Sequence, residues 1–231
     1  MKILCIIPAR SGSKGIINKN IKLFNDKPLL AWSIEQAQQS VYTMKIIVST
    51  DSQKYADIAI SYGAEAPFLR PENISQDLSI DFECIQHAIE WLDINEQYVP
   101  DIILQLRPTQ PTRSVKDIDN CLRVFIEKRQ QYDSLRTVKK FEKSPYKMYS
   151  ISNNILVPLF KKVDDITEPY NQCRQRLPPT YLHDGYIDIL NTSIIKEGTI
   201  SGKNIYPYII DSVKKYIDID TEKDWNNAIK M

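Results

Sequence analysis

The stretch from Ile6 to Asn20, IIPARSGSKGIINKN, constrains this chain more than any other. The apolar run Ile3 to Ile7 predicts a buried strand that breaks at Pro8. A loop follows, carrying two glycines (Gly12, Gly15), two serines (Ser11, Ser13) and the cations Arg10, Lys14 and Lys19, with Lys22 just beyond. Glycine lets a backbone approach a ligand closely, and loop N–H groups form anion-binding nests. Arginine and lysine add fixed charge suited to phosphate. A loop of this kind after a first strand lies where open α/β sheets bind ligands, at the carboxyl ends of the strands. The pattern therefore predicts a polyphosphate loop, against the plainer reading of a basic surface turn. It is neither of the two common phosphate motifs, because Gly15 is followed by Ile16 and the glycine spacing of a dinucleotide fold is absent.

Beyond the loop, helical and strand patterns alternate. Pro28 opens a helix in which Leu30, Ile34, Ala37 and Val41 recur at helical spacing. KIIVSTD is a short strand whose last residue, Asp51, either faces a site or caps the helix Gln53 to Tyr62 that Gly63 stops. A short strand is expected at Ala66 to Leu69. A helix follows from Ser79 to Leu92, with Ser79 as N-cap and Phe82, Ile85, Ile89 and Leu92 inward. Ile102 to Leu106 is a continuous apolar strand, ended by Pro108 and Pro111. Ser114 and Asp117 fit a capping box for a helix from Val115 to about Gln131. This rhythm argues an α/β fold with a mostly parallel sheet and helices on both faces.

The rhythm is lost near Val138. Residues 139–176 mix tyrosines, prolines and charges with short strand-like pieces, a composition that buries little core of its own. We assign 1–138 and 177–231 to a nucleotide-binding domain and 139–176 to an arm that packs on a second subunit. Strands resume at Gly185 to Leu190, Asn204 to Ile210 and Tyr216 to Ile219, and Thr221 to Asp224 fits a capping box for a last helix.

Thirty basic residues nearly cancel twenty-nine acidic ones, so no global charge points to nucleic acid. No apolar run is long enough to span a membrane and the opening lacks a signal-peptide core, so a cytoplasmic protein is expected. The four cysteines form no C-x-x-C pair, which argues against zinc and a disulfide framework.

Asp218 and Asp220 are the second chemical feature. On a strand, period two would put both carboxylates on one face. Two like charges side by side need a cation or donor between them, and paired carboxylates with phosphate oxygens are a usual seat for Mg²⁺. The plainer reading has Asp220 capping the last helix and Asp218 solvated. With the phosphate loop, the pair points to phosphoryl or nucleotidyl transfer.

Six ordered segments, IIPARSGSKGIINKN, VSTD (48–51), LRP (69–71), RPTQPTR (107–113), RQRLPPTY (174–181) and IDIDTEKD (217–224), resemble the acylneuraminate cytidylyltransferases, the CMP-sialic acid synthetase family. The resemblance implies a nucleotide-binding α/β domain of the nucleotide-diphospho-sugar transferase kind. It also implies a homodimer built through the arm, and a reaction joining CTP to a nine-carbon 2-keto sugar acid with loss of pyrophosphate. Arg10 and Lys19 would hold the triphosphate and, as catalytic residues, neutralise charge in the transition state. Ser13, Lys14 and Gly15 would contact phosphate, and Asn20, Arg70 and Asp81 the nucleotide. Asp218 and Asp220 would hold Mg²⁺, with Asp218 also catalytic. Arg174 would reach phosphate or sugar in the partner subunit.

Departures from the sialic acid pattern fall where the sugar should sit. Arg107 replaces the usual glutamine, Asp184-Gly185 the usual asparagine-glycine, and Asp188 a tyrosine. They suggest legionaminic or pseudaminic acid, or an N-modified relative, as acceptor, with Arg107 facing the sugar carboxylate or an acyl group. Asp184 and Asp188 would read hydrogen-bond donors. The competing reading pairs Asp188 with Arg107 and keeps sialic acid. A cytidylyltransferase for the eight-carbon acid Kdo would have a similar first loop. A catalytically silent nucleotide-binding protein would bind CTP without releasing pyrophosphate.

Overall fold

A six-stranded sheet organises the computed structural model, which describes residues 1–210 and 217–230. Its strands are β1 (Ile3–Pro8), β2 (Lys45–Ser49), β3 (Ile102–Gln105), β4 (Ser134–Phe141), β5 (Thr180–Asn191) and β6 (Ile205–Ile209), in the order β6-β4-β5-β3-β1-β2. β1 runs parallel to β2 and β3, with Ile6 opposite Ile47 and Gln105. β5 pairs antiparallel with β3, placing Asp188 opposite Gln105. The mostly parallel α/β fold is as the alternating pattern predicts, with β5 reversed against β3. ILCII in β1 is buried throughout because covering layers lie on both faces.

On one face, helix α3 (Asp81–Glu96) packs Ile85, Ala88 and Leu92 against Leu4, Ile6, Ile47, Ile103 and Leu190, with Phe82 and Ile89 at the rim. Alternation turns Cys5 and Ile7 to the other face. There the buried Arg113 lies near Cys5 and bonds Ser33 and Gln36 of α1 (Leu29–Gln38). The helices α2 (Gln53–Ser61), α4 (Val115–Lys128) and α5 (Glu222–Ala228) complete this unit. No helix among the described residues is long and apolar enough to cross a membrane.

Several local expectations are corrected. Helix α1 stops at Gln38 and leaves Val41 exposed, because Ser40 Oγ and Val41 N both donate to Asp119 Oδ1. Residues 66–69 form no full strand, only the isolated bridge of Leu69 with Thr50. Ile80, not Ser79, precedes α3; its N–H donates to Glu83, and Ser79 Oγ accepts from Gln76 N. The capping box at Ser114 does not form, because Tyr186 OH donates to Asp117 and accepts from Ser114 N. Tyr216 lies outside the described residues, and 217–220 belong to no strand. That segment is tied in by Ile219 N donating to Thr109 O at 2.9 Å. The box at Thr221 and Asp224 does form, and Trp225 meets Phe24 edge-on.

The chain divides into two compact units. The first is Met1–Thr137, Gly185–Tyr208 and, of the described residues, 217–230. The second is Val138–Asp184 with Ile209 and Ile210 among the described residues. Within it, Tyr149–Ser152 and Ile155–Pro158 form a hairpin whose turn residues, Asn153 and Asn154, both have positive φ, as a tight primed turn requires. Ile151, Ile155 and Leu156 of this hairpin are 76, 63 and 61 % exposed.

Candidate functional site

Beyond the carboxyl ends of β1 and β3 in the first unit lies a cavity of about 660 Å³, a size suited to a nucleotide-sized ligand. The first loop contributes Arg10, Ser13, Lys14, Gly15, Lys19 and Asn20 to its wall. Arg70, Asp81 and Arg107 line it from the segments after β2 and β3, and Asp218 and Asp220 from the chain before the last helix. Gly185 and Asp188 are not on this wall, although Asp188 reaches Arg107. Arg174 and Asp184 belong to the second unit, where Arg174 lines a separate cavity of about 430 Å³ beside Lys140 and Glu142.

The loop is fixed by bonds that its own sequence does not announce. Asp51 accepts from Ser11 N at 2.7 Å and from Ser11 Oγ at 2.8 Å. Asp51 is thus a loop anchor; Ser52 precedes the following helix without a side-chain cap bond. Ser13 N donates to Ser11 O, so two loop amides already have acceptors. Asn20, buried, donates to Arg10 O at 3.0 Å and holds the loop's base. Gly15 lies so close to the Asp220 carbonyl oxygen that a Cβ there would overlap it. Its close backbone approach is to the carboxylate segment.

Three of the four loop cations face the cavity. Arg10 NH1 lies 2.8 Å from Asp77 Oδ1, and Lys14 pairs with Asp77 Oδ2. Lys14 and then Arg10 hold the Asp77 carboxyl below the usual aspartate range. Lys19, its side chain only 13 % exposed, donates to Ile219 O at 2.8 Å and Asp220 Oδ1 at 2.9 Å. Lys22 instead pairs with Glu222 and covers the Trp225 ring. Asp77 and Thr109 are wall residues that sequence reasoning missed. Thr109 could have been found inside RPTQPTR; Asp77 carried no local signal.

Arg107 is clasped between Asp188 (2.7 Å) and Asp81 (2.6 Å). Burial would lower its guanidinium; Asp188 and then Asp81 outweigh that and raise it above the usual arginine range. Two resident carboxylates thus occupy the group expected to meet a substrate carboxylate. The loop beneath is held by Arg113, which donates to Arg107 O and Tyr186 O. Burial brings Arg113 down to about 10. Arg70 is also buried, and its Nε and NH2 have no hydrogen-bond partner among the described residues. A buried guanidinium at the cavity edge with unfilled donors is suited to acceptor atoms of a ligand.

Loss of hydration raises the Asp218 carboxyl, a Thr109 hydrogen bond opposes that shift, and neighbouring Asp220 adds to it. Among the described residues no group of three or more His, Cys, Asp or Glu could hold a metal ion. The donor set nevertheless fits Mg²⁺, which keeps several waters and commonly takes one or two carboxylates together with substrate phosphates.

The sequence pattern of the family described as cytidylyltransferase matches residues 4–172. The chain is 35% identical to the N-acylneuraminate cytidylyltransferase of Escherichia coli O18:K1:H7, over 100% of this chain and 52% of that protein. It is 34% identical to the CMP-N,N'-diacetyllegionaminic acid synthase of Legionella pneumophila, over 100% of this chain and 96% of that protein. It thus spans about half of the first relative and nearly all of the second. A solved structure of CMP:2-keto-3-deoxy-manno-octonic acid synthetase complexed with CTP superimposes with a TM-score of 0.72 at 13% identity, covering 100% of this chain and 98% of that one. At that identity the likeness speaks for the fold alone.

Proposed function

This chain belongs to the cytidylyltransferase family, and we propose that it joins CTP to a nonulosonic acid, giving a CMP-sugar and pyrophosphate. The observation that carries this reading is the meeting of Arg10, Lys14 and Lys19 with Asp218 and Asp220 on one cavity wall. Arg10 and Lys19 hold the triphosphate and offset charge that builds on it as the α-phosphate is attacked. Arg70, with donors unfilled, takes acceptor atoms of the nucleotide. The anomeric oxygen bonds to the α-phosphorus, the α–β bridging oxygen departs with pyrophosphate, and the hydroxyl proton passes to water. Asp218 and Asp220 are the residues that would hold Mg²⁺, which when bound polarises the α-phosphate. Thr109 and Lys19 keep these two carboxylates in place.

We further propose legionaminic acid or a close relative as the acceptor, in preference to N-acetylneuraminic acid. The two relatives do not separate these by identity, at 34% and 35%. The support is the cluster Asp81–Arg107–Asp188, two carboxylates to one guanidinium, beside the cavity. A cluster of that balance favours hydrogen-bond donors such as amide N–H over a carboxylate.

The exposed Ile151, Ile155 and Leu156 support a homodimer formed through the second unit, which light scattering would test. Use of CTP supports action in the cytoplasm.

Pyrophosphate release from CTP and Mg²⁺, with sialic, legionaminic, pseudaminic and Kdo acids supplied separately, tests the reading. Release with legionaminic acid above the others is expected. Release with Kdo alone would overturn the acceptor class, and CTP binding with silence on all four would favour a nucleotide-binding protein without chemistry.

A further inference from the structure

We propose that Asp77 is a resident counter-anion in the triphosphate seat, which a ligand must expel, and that it thereby sets the charge a ligand needs in order to bind. The inference rests on the reading of the cavity as a CTP site and adds a selectivity determinant to it.

The two oxygens of Asp77 are divided between two loop cations: Oδ1 meets Arg10 at 2.8 Å and Oδ2 meets Lys14. Both cations line the same cavity as Lys19, whose own charge is turned to Asp220 and to the Ile219 carbonyl. One side-chain carboxylate therefore stands where the loop's charge is otherwise unspent. It comes from the irregular chain between the 3-10 turn Glu72–Ile74 and α3. That chain is braced on either side of Asp77 by Ser75 Oγ donating to Pro71 O and by Gln76 N donating to Ser79 Oγ. The pairs are solvent-exposed, with Asp77 at 36 % and Lys14 at 81 %, so each is weak enough for a competing anion to break. A monoanion offers Arg10 and Lys14 no more than Asp77 already does. A polyphosphate brings several charges and can bridge both cations together. Asp77 thus discriminates against weakly charged anions and keeps the loop cations in place until the nucleotide arrives.

Calorimetric titration of the full chain with CTP and with inorganic pyrophosphate, at low and high salt, tests this. Asp77→Asn keeps the shape and removes the charge, and circular dichroism checks its fold. The expected result is CTP and pyrophosphate binding about three- to tenfold tighter than in the parent. The gain should shrink at high salt and vanish when Arg10→Gln and Lys14→Gln are both added. Asp77→Ser should reproduce the gain, so the result does not depend on one variant. If the parent binds CTP and both variants bind it equally or more weakly, Asp77 is not a competitor and the inference fails by itself. If the parent binds no CTP, the reading of the cavity fails and this inference falls with it.

Discussion

Arg107 and Asp188 meet at 2.7 Å, and the Asp188 side chain is only 6 % exposed. The pair lies where β5 runs antiparallel beside β3, two residues beyond Gln105, which faces Asp188 across the ladder. Arg107→Gln removes the cation and leaves the carboxylate buried. Removing one partner of a buried pair is more damaging than removing both, because the remaining charge has lost compensation. We expect Arg107→Gln to cost about 3 kcal/mol of stability, and Asp188→Asn added to it to recover much of that. Urea unfolding of the two variants checks the order; equal stability of parent and single variant would show that the pair holds nothing.

Gly15 and Gly12 look alike in the sequence and differ in the fold. A Cβ on Gly15 would overlap the Asp220 carbonyl oxygen, a backbone atom that cannot swing aside, whereas at Gly12 the nearest atom is Arg10 NH1 at 3.9 Å. Gly12→Ala should change stability by no more than about 0.5 kcal/mol. Gly15→Ala should cost about 1–3 kcal/mol and displace the segment carrying Asp218 and Asp220, with turnover falling further than stability alone explains. Parallel thermal unfolding and pyrophosphate-release assays would expose a failure of this contrast as similar losses in both variants.

The loop and the sheet were legible because both are local patterns: an all-apolar strand followed by dense cations, and alternating helical and strand periods. The contacts that complete the site are not local. Arg10 finds Asp77 across 67 residues and Arg107 finds Asp188 across 81. Nothing in the residues around Asp77 marks it as a partner of the loop. An aspartate ending a strand serves equally well as helix cap or loop anchor, and only the position of Ser11 decides that Asp51 is an anchor. The alternation in IDID suggests a strand, yet 217–220 have no ladder partner among the described residues and are placed by Ile219 N donating to Thr109 O, by Lys19 donating to Ile219 O and Asp220 Oδ1, and by the close approach of Gly15. The clasp on Arg107 follows from strand pairing and from the start of α3, neither of which the RPTQPTR motif encodes by itself.

The four cysteines should differ sharply in reactivity. Cys5, Cys84 and Cys121 are buried and Cys173 is exposed. Burial pushes the Cys5 thiol up to about 12 and also raises Cys84, so neither supplies thiolate at neutral pH. A chromogenic disulfide reagent should titrate one thiol quickly in the native protein and four in urea. Cys173→Ser should abolish the fast reaction; a fast thiol surviving in that variant would mean that the core opens readily.

Stability should fall as the solution is acidified through the histidine range, and His87 should carry part of that fall. Its ring packs edge-on to Phe68 at 4.8 Å, and its buried Nδ1 has no hydrogen-bond partner among the described residues. Burial lowers its pKa from the usual 6.5; Glu90 opposes the shift and Arg70 adds to it. The folded chain therefore holds this imidazole neutral at pH values where the unfolded chain protonates it. Between the folded and unfolded values the unfolded state binds more protons, so stability rises with pH. The contribution is complete above the unfolded value and is lost as pH falls from there toward the folded one. Urea midpoints measured at pH 7.5 and pH 5.5 should differ less for His87→Gln than for the parent, because that variant removes the titrating group and keeps a polar side chain of similar length. An equal drop in the two proteins would move the pH dependence to the carboxylates and leave His87 a packing residue.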